Sequence, residues 1–222
     1  MLKTGRNRRN RIMLSFMAAI LLPFTAGRVS AAAPDQGFVE KILRENRYFI
    51  EFANVCVSNF GSAENEKALK DANQHNFNAN LYYLESNYVD AFKSVRLSQE
   101  ILLDLYYDIL QKRYIEDSRT LLDLNAPTII QSKDKKSAHF LQLGYRDVEV
   151  ARQFRDMGFN YNRFLFSNKI RYYIDGIKRA RRAKRFAFLS LIESKTPIED
   201  KVDYHTQTWD EARNKDDRER IR

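Results

Sequence analysis

The sequence has 222 residues, of which 44% are hydrophobic and 30% are charged, and its formal net charge is +9. This length and balance are typical of a folded domain with a buried core, and they exclude a disordered low-complexity chain. The single cysteine, Cys56, excludes an internal disulfide framework, so we expect stability to come from packing. Its apolar neighbours indicate a small buried hydrophobe, and a reactive or intermolecular thiol is the alternative.

Residues 1–33 have the three parts of a secretory signal peptide: a basic start, an apolar segment from Ile12 to Ala26, and small residues up to Ala33. The apolar segment is shorter than the ~20 residues that a membrane-spanning helix needs. We therefore predict cleavage and no stable membrane insertion of the mature protein. Residues 1–33 hold six basic and no acidic residues, so the formal charge falls from +9 to +3 for residues 34–222. A nucleic-acid partner is not predicted, because the high pI belongs mainly to the signal peptide.

Beyond the predicted signal peptide there are few glycines and prolines and no strand-like alternation, which predicts an all-α fold of long helices. Apolar spacing predicts helices over Gln36–Asn59, ended by Gly61, and over Ala63–Glu85, capped by Ser62. A very long helix is predicted over Tyr88–Asp123. At about 1.5 Å per residue it would exceed ~50 Å, which favours an elongated, rod-like arrangement of helices and helical hairpins.

The second half of the chain is predicted to contain shorter elements and several breaks. The predicted breaks are Asn125-Ala126-Pro127, which ends the long helix, Ser132-Lys133-Asp134, and Gly144, which joins helices over Ala138–Leu143 and Asp147–Met157. We therefore expect residues 34–222 to form one helical domain whose two arms are hinged near residues 124–135. An aromatic connector over Gly158–Ser167 follows.

The next predicted helix, Asn168–Ser190, holds the strongest functional signal. Eight basic residues and one acid lie between Lys169 and Arg185. An apolar stripe through Ile170, Tyr173, Ile174, Ile177, Phe188, Leu191 and Ile192 is interrupted by Arg181 and Lys184. This pattern predicts a helix that crosses a gap between packed units or lies against an acidic partner. The alternatives are a solvated basic face with arginine stems along apolar surface, or contact with anionic lipid.

The residues predicted to bind a partner share this helix and its basic or tyrosine-rich surface. They are Lys178, Arg179, Arg181, Arg182, Lys184, Arg185, Tyr172 and Tyr173. The helix is expected to end near Ser194-Lys195. Thr196, Pro197 and Glu199 then form a helix start signal for a last helix that runs through Trp209 to Arg222.

No motif of the sequence indicates catalysis or metal binding. His75, His139 and His205 lack neighbouring ligands at metal spacing, and no phosphate-binding glycine loop or nucleophile motif occurs. We therefore expect a non-enzymatic protein without a cofactor or metal. Two stretches have the small-residue spacing of tetratricopeptide hairpins, but they are 60 residues apart where a regular array needs 34.

Four segments carry a family resemblance: NRYFIEFANVC, NANLYYLESNYVDAF, SNKIRYYIDGIKRARRAKRFA and TPIEDK. They resemble the flagellar coiling proteins of Leptospira-type spirochaetes. The resemblance implies a periplasmic, V-like, all-helical structural subunit in the sheath of the periplasmic flagellar filament, where it promotes coiling and motility. Its implied partners are the filament core, other sheath proteins and copies of itself, and it implies no catalytic residues. The alternative function is a periplasmic, tetratricopeptide-like adaptor or binding protein.

Overall fold

The computed structural model describes residues 34–197, which form α-helices and a π-helical segment and contain no strand. The helices are α1 (Gln36–Phe60), α2 (Ala63–Leu84), α3 (Tyr88–Asp108), α4 (Asp117–Ser132), α5 (Lys135–Asn160) and α6 (Phe166–Lys195), with the π-helical segment Ile109–Glu116 between α3 and α4. The predicted all-α fold is confirmed. The predicted signal peptide and the predicted last helix lie outside the described residues. None of the described helices is long and apolar enough to cross a bilayer.

The predicted turn between α1 and α2 is confirmed with its capping residues. The Gly61 N–H donates to the Val57 carbonyl at 2.7 Å and ends α1. The Asn65 N–H donates to the Ser62 hydroxyl at 3.3 Å, and the Ser62 N–H donates to the Asn65 side-chain oxygen at 3.0 Å. This reciprocal pair satisfies donors that a helix start leaves without an intrahelical partner, so the chain reverses within two residues.

The predicted break at Asn125-Ala126-Pro127 is wrong, because α3, the π-helical segment and α4 form one long helix from Tyr88 to Ser132. Pro127 is exposed, so the carbonyl that loses its helical donor can face water. Asn125 lies on the buried face beside it, and its side-chain amide donates to the Ala187 carbonyl at 3.1 Å. Packing on that face outweighs the lost backbone bond. The predicted break at residues 132–134 is confirmed, since Lys133 is left-handed with φ 54°.

The predicted hairpin hinged at Gly144 is also wrong, because α5 is continuous from Lys135 to Asn160. Gly144 is buried, and a Cβ there would lie 2.5 Å from Cδ2 of Leu122. The residue that the sequence suggests as a hinge is therefore a point of close contact between α5 and the long helix. The predicted hinge between two arms near residues 124–135 stays a prediction.

The first half of the long helix packs against α1 and α2. The ring of Phe38 is 5.8 Å from that of Phe92, and the ring of Phe60 is 5.4 Å from that of Tyr114. Both pairs are separated by the same number of residues, so α1 and the long helix are parallel. The chain returns between them through α2, which is antiparallel to both.

The second half of the long helix packs against α5 and α6. The Ser118 hydroxyl donates to the Ala180 carbonyl at 3.1 Å, as Asn125 does to Ala187 one helical repeat further on. The constant offset shows that α4 and α6 are parallel, and α5 runs antiparallel between them. The long helix is thus shared by two groups of three helices.

The main hydrophobic core joins both groups at the middle of the long helix. Its central side chains Tyr106, Ile109, Leu110 and Ile115 are almost fully buried. The Tyr106 hydroxyl donates to the Phe49 carbonyl of α1, and burial raises the pKa of this phenol. Cys56 is buried in the same core, as predicted, and burial raises the pKa of its thiol, which disfavours the reactive thiolate.

The buried face of α6 differs from the predicted stripe in its second half. After Ile177 the buried residues are small, namely Ala180, Ala183, Ala187 and Ser190, whereas Phe188 and Ile192 are exposed. Because α6 must fit between α4 and α5, small side chains let both helices approach its backbone closely. Arg181 and Lys184 therefore lie beside the buried face and do not interrupt it.

The close contact along this face predicts a large penalty for added volume. Ala180→Leu should lower the free energy of unfolding by about 1–3 kcal/mol, because Ala180 is fully buried and a larger side chain would overpack its surroundings. Chemical denaturation of the variant measures this loss. Arg181→Leu is the matched control, since it adds the same side chain at the next, exposed position and should change stability by no more than about 0.5 kcal/mol. Equal effects of the two substitutions would contradict the packing.

Candidate functional site

The two tyrosines predicted to bind a partner pack within the protein. Tyr173 is only 3% exposed, and its ring lies 5.9 Å from that of Tyr107 in an edge-on contact. Tyr172 is partly buried and packs its ring 5.3 Å from that of Tyr161 in the connector between α5 and α6. In this fold Tyr173 supports the core and Tyr172 supports the connector.

Lys184 is committed to internal contacts where α1 ends. Its ammonium donates to the Arg113 carbonyl at 2.9 Å and lies 3.3 Å from the Asp117 carboxylate. The same nitrogen lies 4.9 Å from the ring centre of Phe60 and 5.5 Å from that of Tyr114. A partly buried cation between two rings and a carboxylate is a structural element that ties α6 to α1 and to the long helix.

Arg182 neutralises a buried carboxylate on α5. Its guanidinium makes a two-pronged pair with Asp147, in which Nη2 is 2.7 Å from Oδ1 and Nε donates to Oδ2. The Asp147 side chain is 1% exposed, whereas that of Arg182 is 42% exposed. The hydrogen bonds to Asp147 raise the pKa of Arg182, which favours the charged guanidinium. Arg146 adds a longer contact of 3.8 Å to the same carboxylate.

Of the other predicted residues, Lys178, Arg181 and Arg185 are exposed on α6, and Arg179 is partly buried. Lys178 pairs with Asp175 at 3.2 Å on its own helix. Arg179, Arg181 and Arg185 have no carboxylate within 4 Å in residues 34–197. Partner binding by the basic helix therefore stays a prediction that now concerns mainly the exposed Lys178, Arg181 and Arg185.

Removal of the Arg182 guanidinium should destabilise the fold. Arg182→Ala leaves the buried Asp147 carboxylate with only the distant Arg146, and we expect a loss of about 1–3 kcal/mol in the free energy of unfolding. Chemical denaturation measures it. Arg179→Ala is the control, because it removes an arginine without a carboxylate partner from the same helix. A double variant with Asp147→Asn should recover part of the loss, and failure to do so would show that the carboxylate is not the cause.

A different surface has the features of a binding site: an open, mostly apolar groove at the start of α1 and α6. We call it the entry groove. It encloses about 980 Å³ between α1, α3 and the connector at residues 161–165. Its principal residues are Phe38, Ile42, Phe92, Arg96, Leu97, Phe164 and Leu165. Phe38, Leu97, Phe164 and Leu165 are each 46–64% exposed, so large apolar side chains here face solvent together.

Arg96 holds the connector wall of the entry groove in place. Its guanidinium donates to the Phe164 carbonyl and to the Gln99 side-chain oxygen, the latter at 3.0 Å. It also lies 3.9 Å from the ring centre of Phe166. Gln99 is buried and donates to the Ser167 hydroxyl at 3.1 Å. Two side chains of α3 thereby attach the connector and the first turn of α6 to α3.

The rim of the entry groove carries charges of both signs. Lys93 pairs with Asp90 at 2.9 Å, and Glu45 pairs with Arg171 at 3.0 Å, whereas Lys41 and Glu100 lie at the rim without strong burial. A mixed rim around an apolar floor is the arrangement of protein-binding surfaces, whose centre is poor in charge. Within residues 34–197 no group of His, Cys, Asp and Glu side chains converges to hold a metal ion.

The sequence interpretation missed the entry groove. The aromatic segment Gly158–Ser167 was the available signal, but it was assigned only as a connector. Its position depends on contacts between Arg96 and Phe164, which are 68 residues apart. Helical periodicity does not report such contacts, because it describes one helix at a time.

Loss of Arg96 should release the connector without unfolding the protein. We expect Arg96→Ala to speed tryptic cleavage after Arg163, because proteases cut segments that open locally. Mass spectrometry of the early fragments measures that cleavage. Arg44→Ala is the control, since Arg44 is an exposed α1 arginine whose contact is a 3.7 Å pair with Glu40. Unchanged cleavage after Arg163 in the Arg96 variant would contradict the role of this side chain.

Comparison with known proteins gives one family. The family model described as surface protein adhesin OmpL37 matches residues 33–222. No curated protein and no solved structure matches the chain. The match supports the Leptospira-type assignment, but it gives no support to the flagellar coiling resemblance or to a sheath role.

Proposed function

This chain belongs to the surface protein adhesin OmpL37 family, and we propose that it is an extracytoplasmic protein that binds other proteins through the entry groove. The matched segment, residues 33–222, begins where the predicted signal peptide ends and includes every described helix. The family description supports the class of function, and the groove is the surface that we propose for it.

The proposal rests on a cluster of exposed apolar side chains in a groove whose connector side is held in place by Arg96. Phe38 on α1, Leu97 on α3 and Phe164 on the connector come from three separate elements and line one groove. Exposed clusters of this kind mark binding surfaces in proteins, because solvated apolar area favours a partner. Arg96 holds the wall before binding, which reduces the entropy cost of ordering it on contact.

The occupant that fits is a protein segment with protruding apolar side chains. The floor of the groove would take those side chains, and the mixed rim would accept polar groups around them. Such a site works by affinity, so we propose no reaction, cofactor or metal for this protein.

The binding test uses Ala33–Arg222 over a panel of immobilised extracellular-matrix proteins, with surface plasmon resonance as the readout. The double variant Leu97→Asp and Phe164→Asp should weaken binding at least about tenfold, because charges at the centre of an apolar interface cost more than 1.4 kcal/mol. Leu81→Asp is the matched control, since Leu81 on α2 is 43% exposed and lies outside the groove. Equal loss in the control, or full binding by the double variant, would contradict the proposed site.

Surface display has a separate test. Brief protease treatment of intact cells should remove the protein if it is displayed outside, while a periplasmic marker stays intact. Protection of the protein until the outer membrane is permeabilised would place it inside and contradict a surface adhesin.

A second candidate function is a structural subunit of the periplasmic flagellar sheath. It is supported by the four resembling segments and by the exposed Arg181 and Arg185, which are available to an acidic partner such as a filament core, another sheath protein or a further copy. Isolated periplasmic filaments should then contain the protein, and its deletion should straighten them. This candidate function would be eliminated if filaments from normal cells lack the protein and filaments from the deletion strain keep their coiling.

A further inference from the structure

A second groove, lined mostly by polar side chains, lies between α1 and α2. We call it the polar groove. Its wider part encloses about 610 Å³, and its principal residues are Arg47 on α1 and Lys70, Asn73, Asn76, Phe77 and Asn80 on α2. A smaller cavity of about 300 Å³ shares Lys70 and Asn73 with it and extends the groove to Ser58 and Glu66. From Glu66 to Asn80 the groove is about 21 Å long, at 1.5 Å per residue of α2.

One stripe of α2 forms a wall of the polar groove. Its members follow each other at spacings of four and three residues, which places them on one side of a helix; they are Glu66, Lys70, Asn73, Phe77 and Asn80. Arg47 on α1 lies about 200° around that helix from Glu45, which lines the entry groove. The two grooves therefore lie on different sides of α1, and no residue lines both.

The second half of α2 is rich in amide side chains. Residues 73–80 contain four asparagines and one glutamine. Asparagine is a weaker helix former than alanine, because its side chain competes for backbone hydrogen bonds. Residues that weaken an element locally are expected at functional sites. The composition of this segment therefore indicates a binding role for the surface that these amides share.

Asn46 holds the centre of the polar groove from within the fold. It is fully buried on α1, and its Nδ2 donates to the Asn76 side-chain oxygen at 2.9 Å and to the Ser98 hydroxyl at 2.9 Å. The Ser98 hydroxyl donates in turn to the Ala72 carbonyl at 2.8 Å. Three helices thus hold the Asn76 side chain in place, which reduces the entropy cost of ordering it around a ligand.

The amides of the polar groove present donors and acceptors side by side. The Asn76 oxygen is used by Asn46, so its amide N–H groups remain as donors. Asn80 donates to the Asn76 backbone carbonyl at 2.7 Å, and Gln74 donates to Asn78 at 3.1 Å. Those bonds use the donors of Asn80 and Gln74 and leave their side-chain oxygens as acceptors. A hydroxyl group both donates and accepts, so this mixed array matches a row of sugar hydroxyls.

An aromatic ring and two cations complete the polar groove. The Phe77 ring is 58% exposed and provides apolar surface against which the C–H face of a sugar ring can pack. Arg47 and Lys70 are exposed, and no carboxylate is among the described residues that line the wider part of the groove. Guanidinium and ammonium groups bind oxyanions through charge-assisted hydrogen bonds. The ligand that fits therefore combines hydroxyls, a ring face and acidic groups.

We propose that the polar groove binds an acidic polysaccharide. Its carboxylate or sulfate groups pair with Arg47 and Lys70, its hydroxyls bind the amides of residues 73–80, and one of its rings packs on Phe77. A protein segment with apolar side chains fits the entry groove better, because the wider part of the polar groove offers a single aromatic ring among polar groups. The protein would thus have two binding surfaces for two classes of ligand.

Isothermal titration calorimetry of Ala33–Arg222 tests this proposal at physiological ionic strength, where scattered surface charges are screened. The probes are oligosaccharides of heparin, which carry sulfates and carboxylates, of hyaluronan, which carry carboxylates only, and of dextran, which carry neither. We expect heparin to bind and dextran not to bind. Binding of hyaluronan as well would show that carboxylates suffice, and its failure would assign recognition to sulfate.

Removal of the two cations should weaken heparin binding at least about tenfold, because both charge-assisted contacts are lost. The variant is Arg47→Ala with Lys70→Ala. Its matched control is Arg44→Ala with Lys67→Ala, which also removes one arginine of α1 and one lysine of α2, both exposed and outside the polar groove. The control should change the affinity by less than about twofold.

A second variant leaves the charge unchanged. Asn73→Ala with Phe77→Ala should weaken heparin binding at least about fivefold, because it removes a hydrogen-bonding amide and the ring surface. Tyr82→Ala is its control, since Tyr82 is a 37% exposed aromatic residue of α2 outside the groove. Circular dichroism at 222 nm checks that every variant keeps its helices.

Four results would overturn the proposal. They are no binding of either acidic saccharide, equal losses in the two charge variants, full binding by the Asn73 and Phe77 variant, and polyglutamate binding as tight as that of heparin. The last would identify a surface for acidic peptides. Leu97→Asp with Phe164→Asp should leave heparin binding unchanged, so this proposal and the proposed function of the entry groove fail separately.

Discussion

The close packing of α6 between α4 and α5 is the constraint on which the rest of the structure depends. A Cβ at Gly176 would lie 2.9 Å from Leu110 of the long helix and 3.3 Å from the Ala151 carbonyl of α5. Ala180, Ala183 and Ala187 continue this small-residue face toward the end of α6. Because these positions leave no room for larger side chains, the basic residues of α6 must lie outside the contact. They reach solvent, or, like Arg182 and Lys184, they bind a carboxylate on a neighbouring helix.

Sharing one long helix between two groups explains where apolar surface is left exposed. Phe60, the last residue of α1, packs its ring against Lys184 of α6, and beyond that point Phe188 and Ile192 of α6 are exposed. At the other end, Arg96 attaches the connector between α5 and α6 to the long helix, and the entry groove lies between this connector, α1 and α3. Both surfaces thus result from the lengths of helices and the positions of their connections, and both place large apolar groups where a protein segment can reach them.

Helical periodicity predicts the local elements of this chain well and their tertiary roles poorly. The all-α fold, the turn at Gly61 and the start of α2 follow from local rules of capping and breaker content. The continuity of the helix through Pro127 does not follow from these rules, since packing on α6 maintains that helix. Local rules also predict a hinge at Gly144, because a glycine is found both at flexible points and at close contacts between helices. The neighbouring Leu122, which is distant in sequence, shows that Gly144 is a close contact. The entry groove depends on residues far apart in sequence, so it could not be found one helix at a time.

The proposed role of the entry groove is to receive a protein partner. Hydrogen exchange of Ala33–Arg222, with and without a saturating protein ligand from the binding panel, tests it most directly because it maps contact without altering a residue. We expect slowed exchange over residues 36–42, 92–97 and 161–168 and unchanged exchange in α2. Protection confined to the basic surface of α6 or to α2, with residues 161–168 unaffected, would contradict it.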